Sequence, residues 1–273
     1  MELNWIQKGI WSVIQGLAGV FPLSSAGFFA VMRKVFGLPV DGSIDRGYAA
    51  MQMLAVAITI MFAFRHDYMA CFRATRGSLP RNDLKRREEM MLNRRLFMLV
   101  LVGIFPAALA LLLQQQAAVL SHRMSFIIGL FTLGGFVVFL GDRIGKGERN
   151  LQDTTLMDGL WMGFAYGLGI IPGIPAVGLC ITAGAICGLD FMFAFRYAFL
   201  IAGPVLCLEA VINLIGITQQ IHWSWLVGMI PTALCAFGGI RIMKKLAKRE
   251  SYGLFAYVLW GSAILTFILF LIS

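Results

Sequence analysis

Charge is what this chain has least of. Of 273 residues only 14% are charged, 23 Lys and Arg against 14 Asp and Glu, while 59% are hydrophobic. A soluble domain carries about a quarter charged residues, so too few polar side chains exist here to cover a water-facing surface. The mean hydropathy of +0.80 points the same way, to lipid as the solvent. At about 20 residues per crossing, the apolar content supplies at most about eight crossings and leaves no room for a large soluble catalytic domain. Cysteine is scarce and scattered: Cys71, Cys180, Cys187, Cys207 and Cys235 form no CxxC pair and no metal-ligand spacing, which excludes a disulfide framework. The three histidines, His66, His122 and His222, fall at the ends of apolar runs or between them. The net charge of +9 is not gathered on one soluble face, so nucleic acid is excluded as a partner. The opening MELNWIQKGIW lacks a basic region followed by a small-residue cleavage site and is not read as a removed signal peptide.

Apolar runs lie near residues 9–36, 48–64, 96–116, 124–142, 156–188, 194–217, 222–243 and 253–272. Two are interrupted, by QGLAGVFPLSSAG at 15–27 and YGLGIIPGIPAVG at 166–178. Proline removes a backbone donor, glycine weakens a helix, and the freed backbone groups are tolerated at membrane depth only where protein or a cavity covers them. These two runs are predicted to form re-entrant helical hairpins, kinked spanning helices being the alternative, and the other six to cross. Residues 65–95, expected as a basic cytoplasmic loop, then share one side with 143–153 and 244–252. Together these three segments hold 16 of the 23 Lys and Arg. Positive-inside bias makes that side cytoplasmic and puts both termini outside. The 65–95 stretch is expected to set orientation and to meet anionic phospholipid headgroups.

The interrupted runs echo each other. Gly16-Leu17 with Gly27 recurs as Gly167-Leu168 with Gly178, each around a proline, Pro22 and Pro172. GIFPAAL at 103–109 recurs as GMIPTAL at 228–234. A single membrane domain with halves of about 1–145 and 153–273 follows, each half one hairpin and three spans. An odd number of crossings inverts the second copy. The fold class is thus all-α integral membrane, six transmembrane helices plus two re-entrant hairpins in an inverted-topology repeat, with the hairpins meeting where helix N-termini can hold an anion.

The polar side chains at these places are Gln15, Ser24 and Ser25 in the first hairpin, Gln52 in the next span, and Tyr166 and Thr182 in the second hairpin. Hydroxyls, amides and the backbone N–H groups near Gly173 and Gly178 can bind phosphate oxygens as neutral donors. A Ser or Thr in an apolar helix can instead bond a carbonyl of its own helix, as expected for Thr182. Glu209 is the only carboxylate deep in a spanning run. It is a candidate for proton coupling, or else a packing residue bonded to Asn213. With no carboxylate pair or His/Cys cluster in either hairpin, neither a metal nor another cofactor is expected.

These motifs resemble those of the undecaprenyl pyrophosphate phosphatase (BacA/UppP) family over nearly the whole chain. The first family motif reads approximately EGLTEFLPVSSTGH, against QGLAGVFPLSSAGF at 15–28 here. Gly16, Leu17, Pro22, Ser24, Ser25 and Gly27 match, while the two glutamates become Gln15 and Gly19 and the histidine becomes Phe28. The second, PGxSRSG, stands as PGIPAVG at 172–178, with Pro175, Ala176 and Val177 in place of serine, arginine and serine. Gln52 matches a family glutamine, and Tyr166 stands where the family has another. The resemblance implies six spanning helices, two inverted hairpins, a bacterial inner-membrane location and a polyprenyl phosphate or pyrophosphate lipid as partner. Ser25 is the one retained catalytic candidate. Losing the ionisable contributors together removes the charge neutralisation and acid–base help that phosphoryl transfer needs. The expected activity is therefore binding and translocation of a polyprenyl phosphate with little or no hydrolysis. A divergent active diphosphatase and a non-transporting scaffold remain alternatives, and a homodimer is compatible with all three.

Overall fold

Where glycine and proline interrupt the apolar runs, the helices stop. The computed structural model describes residues 4–37, 43–77, 83–120, 123–144, 147–215 and 223–272. The first interrupted run gives α1 (Trp5–Ala18) and α2 (Ser25–Val35). Then come α3 (Ser43–Ala63), α4 (Arg65–Arg76), and α5 (Leu84–Ala110), which passes through a 3₁₀ turn into α6 (Gln114–Leu120). After α7 (Met124–Arg143), the second interrupted run gives α8 (Leu156–Gly167) and α9 (Ala176–Ile186). The series ends with α10 (Phe191–Leu214), α11 (Trp223–Lys248) and α12 (Leu254–Ile272). No β-strand forms among the described residues.

Among the described residues six helical stretches are long and apolar enough to cross a membrane: Arg46–Ala63, Leu84–Leu120, Met124–Arg143, Phe191–Leu214, Trp225–Lys248 and Leu254–Ile272. Their outward faces carry exposed Leu, Ile and Phe, such as Phe105, Leu133, Phe136, Leu234, Ile264 and Phe267, as a lipid-facing surface requires. The chain is an all-helical integral membrane protein. The 14 residues of α1, 11 of α2, 12 of α8 and 11 of α9 reach only about 16–21 Å each, short of the roughly 30 Å hydrocarbon core. Within each pair the two short helices pack on each other, α1 on α2 and α8 on α9.

The 65–95 stretch, expected as a loop, is instead mostly helical. Asp83 caps α5 by accepting from the Arg86 N–H, and the helix runs on from the basic segment straight into the apolar one. Arg94 ties α5 to the end of α4, donating to the carbonyls of Ala74 (2.7 Å) and Gly77 (2.6 Å). A high density of Arg and Lys is no obstacle to a helix, since both residues are good helix formers.

Packing between elements is reciprocal. α3 lies against α10 and α7 against α12, while α1 packs on α11 and α8 packs on α5. Small residues permit the last two contacts. A Cβ at Gly16 would lie 2.8 Å from the Cys235 Cβ, and one at Gly167 would lie 2.9 Å from the Ala110 Cβ. Two tyrosines repeat the same relation. The Tyr48 hydroxyl of α3 donates to the Lys8 carbonyl of α1 (2.9 Å) and fills the space beside Gly228. The Tyr197 hydroxyl of α10 lies 3.3 Å from the Gly159 carbonyl of α8, donates to the Leu99 carbonyl and fills the space beside Gly103. Gly103 and Gly228 open the GIFPAAL and GMIPTAL segments, so each echoed motif receives a tyrosine from the opposite half of the chain.

Candidate functional site

The site is built where α2 and α9 begin. Ser24 is the N-cap of α2, its Oγ accepting from the Gly27 N–H at 3.2 Å. The same Oγ accepts from the Gly173 N–H at 2.8 Å, so one buried hydroxyl joins the turn of the first interrupted run to the turn of the second. Gly173 sits at φ +103°, where an L side chain is strained, and a Cβ there would lie 2.6 Å from the Leu130 Cβ. Glycine at 27 serves the same junction, because a Cβ would come within 2.8 Å of the Gly173 nitrogen.

Beside this junction lies a cavity of about 60 Å³. Ser24, Ser25 and Ala26 line it from the start of α2, and Ala176 and Val177 from the start of α9. Tyr166 of α8 and Glu209 of α10 complete its polar wall, while Ala107, Leu111, Val205 and Leu206 give an apolar one. No Lys, Arg or His is among the described residues of the lining. The N-cap position of α9 is held by Pro175, which makes no side-chain capping bond. The cavity therefore receives the positive ends of two helix dipoles, one of them without a side-chain cap. Such an arrangement favours an anion through backbone groups rather than through cationic side chains.

The sequence-derived candidates divide here. Ser24, Ser25 and Tyr166 share the cavity with Glu209, and the Asn213 amide donates to the Glu209 backbone carbonyl at 2.9 Å, not to its carboxyl. Gly173 is at the junction, and Gly178 packs 3.0 Å, measured from an added Cβ, from Pro22 and Val138. Gln52 lies outside the cavity lining, its amide donating to the Trp225 carbonyl at 3.3 Å and its oxygen accepting from the Thr232 hydroxyl. Gln15 is buried on α1, outside the lining, and its Oε1 accepts no hydrogen bond among the described residues. Thr182 donates to the Gly178 carbonyl of its own helix and meets the Tyr252 hydroxyl. Phe28 packs on Phe131 with ring centroids 5.4 Å apart, and Ala176 faces the cavity with a methyl group. Arg196 is paired with Asp67, and Arg65 donates to the Phe62 carbonyl, so both are held on other partners. His122 and His222 lie outside the described residues, and His66 is on α4.

Sequence reasoning treated Glu209 apart from the hairpins; α10 brings it to them. The apolar wall from α5 was also missed, since Ala107 and Leu111 carry no chemical signal. The lack of a side-chain cap on α9 was signalled by Pro175, which has no side-chain acceptor to offer. A wider groove of about 510 Å³ lies between α5 and the start of α8, lined by Glu88, Arg95 and Thr154 among others. It holds none of the candidate residues, and its arginine already donates to the Thr154 carbonyl at 2.8 Å. Nearby, burial opposes ionisation of Asp158, yet the Thr155 N–H and the Arg149 guanidinium hold its carboxyl below the usual carboxylate range.

Residues 9–265 match the model of the family described as bacitracin resistance protein BacA. The chain is 25% identical over 266 residues to an undecaprenyl-diphosphatase of Carboxydothermus hydrogenoformans, covering 94% of each chain. It is 30% identical over 246 residues to one of Nitrosococcus oceani, covering 87% of this chain and 88% of that one. It is 26% identical over 252 residues to one of Moorella thermoacetica, covering 92% of each.

Proposed function

The chain belongs to the BacA (undecaprenyl pyrophosphate phosphatase) family, and on that footing we propose that it binds a polyprenyl phosphate and moves it across the membrane with little or no hydrolysis. The observation that carries this reading is the cavity, which two helix N-termini and neutral hydroxyls line while no described cationic side chain does. Backbone dipoles worth roughly half a charge each suffice to hold a phosphate. They fall short of what cleavage of a pyrophosphate needs, where removing one electrostatic contributor commonly costs two or three powers of ten in rate. The polyprenyl tail would lie along the apolar wall, and the phosphate would meet Ser25, Tyr166 and the first-turn amides of α9 at Ala176 and Val177.

The pairs α1–α2 and α8–α9 are taken as re-entrant hairpins of an inverted repeat. Their short lengths, the reciprocal packing of α1 on α11 and α8 on α5, and the matched Tyr48 and Tyr197 contacts support that arrangement. In an inverted repeat two halves rocking about one site give alternating exposure, which is a transporter's geometry. Both termini would then face outside a bacterial inner membrane, with the basic edge cytoplasmic and in contact with anionic phospholipid.

An active diphosphatase is the competing reading, favoured by the relatives' names and by Ser25 and Glu209 sharing one cavity. Liposomes containing the purified protein separate the two. Movement of polyprenyl phosphate between leaflets, lost in Gly173→Val, supports the proposal. Phosphate release from undecaprenyl pyrophosphate that disappears in Ser25→Ala overturns it.

A further inference from the structure

Glu209 is an acid set in a site built for an anion. Glu209 lines the cavity that the N-termini of α2 and α9 also line, and no described Lys, Arg or His does so. The polar residues that share the lining with it are Tyr166 of α8 and Ser24 and Ser25, with Cys180 of α9 and Tyr68 of α4 within electrostatic reach of Tyr166; the rest of the lining from α5 and α9 is alanine, leucine and valine. Of the two serines, Ser24 is engaged with the Gly27 and Gly173 amides. In the empty protein a Glu209 carboxylate can itself answer the two helix dipoles. Once a phosphate enters, two anions would face each other across one small cavity with no described cation in its lining.

We infer that phosphomonoester binding is linked to protonation of Glu209, so that the lipid phosphate and one proton enter the site together. The inference rests on the phosphate-binding reading above and adds its coupling. The proton comes from solvent on the side to which the cavity is open, and no covalent bond to phosphorus changes. Protonated Glu209 becomes a donor to a phosphate oxygen, converting a repulsion into a hydrogen bond. A protonated carboxyl can serve one phosphate in this way but cannot offset the further charge of a pyrophosphate. The site is thereby selective for the monoester. Release on the far side returns the proton, so lipid movement follows the proton gradient in the manner of a symporter.

The test is binding of farnesyl phosphate to the full chain in detergent, measured by calorimetry at pH 8 in two buffers of different ionisation enthalpy. Expected is uptake of about one proton per ligand, with affinity falling about tenfold per pH unit above neutrality. Glu209→Gln should bind farnesyl phosphate at pH 8 at least as well as the parent, with uptake near zero and a flat pH profile. Binding by the parent without proton uptake overturns the coupling and leaves the phosphate site standing, and this arm needs no variant to fold. Uptake that persists unchanged in Glu209→Gln also overturns it, by assigning the proton to the phosphate. Absence of farnesyl phosphate binding at any pH overturns the site itself.

Discussion

Ser24→Ala removes one oxygen and disconnects two turns. In the folded protein that oxygen caps α2 through Gly27 and receives the Gly173 N–H from a residue 149 positions away. Loss of an N-cap hydroxyl costs about 1 kcal/mol. Leaving the buried Gly173 donor without an acceptor adds about 1–3 kcal/mol, because the group is desolvated and unpaired. The sum is about 2–4 kcal/mol, large for a change of one atom. Reversible unfolding in mixed micelles measures the total, with Ser24→Thr as the control that keeps the hydroxyl. Amide exchange at Gly173 reads the second part alone and should quicken by about 30-fold for a loss of about 2 kcal/mol. A loss under about 0.5 kcal/mol, with Gly173 exchange unchanged, would refute the claim that this hydroxyl holds the two turns together.

Three other outcomes follow from the packing and the caps. Gly163→Ala should destabilise by about 1–3 kcal/mol, since its Cβ would run into the Gly103 backbone, whereas Gly129→Ala, in open space, should be neutral or stabilising by a few tenths; equal thermal midpoints would contradict the close approach of α5 and α8. Tyr197→Phe and Tyr48→Phe should each lose about 1 kcal/mol of stability, and a large asymmetry between them would argue against equivalent positions in the two halves. Asp158 has a folded pKa below its ordinary value, so its contribution is present above the usual carboxylate range and is lost as pH falls through that range and below. Stability followed from pH 6 down to pH 3 should therefore fall less steeply in Asp158→Asn than in the parent.

Much of the architecture was legible because membrane solvation writes itself into composition. Twenty-odd apolar residues between polar stretches specify a crossing helix whatever their order, and six such helices are present among the described residues. The breaks at Pro22 and at Pro172-Gly173 were equally plain, since proline and glycine act locally. The helical character of 65–95 was not, because charge density there describes solvent exposure rather than backbone conformation. Within the site, Ser25 and Tyr166 could be singled out from sequence, being polar residues at or beside the breaks. Gln52 looked alike in sequence, yet it is engaged by Trp225 and Thr232, partners 173 and 180 residues away that no local pattern announces. Glu209 presented the converse difficulty. Its burial in a span was visible, but its company with Ser25 depends on how α10 packs beside both interrupted runs, a long-range outcome of many weak contacts.

The central claim is that a phosphatase scaffold has kept its anion site while losing the groups that cleave. Phosphate release from undecaprenyl pyrophosphate by the purified full-length protein, compared with protein-free micelles, addresses it most directly. The expected result is release no faster than the protein-free background across pH 5 to 9, from protein that still binds farnesyl phosphate. Release well above background that Ser25→Ala or Glu209→Gln abolishes would contradict the claim and make the cavity an active centre.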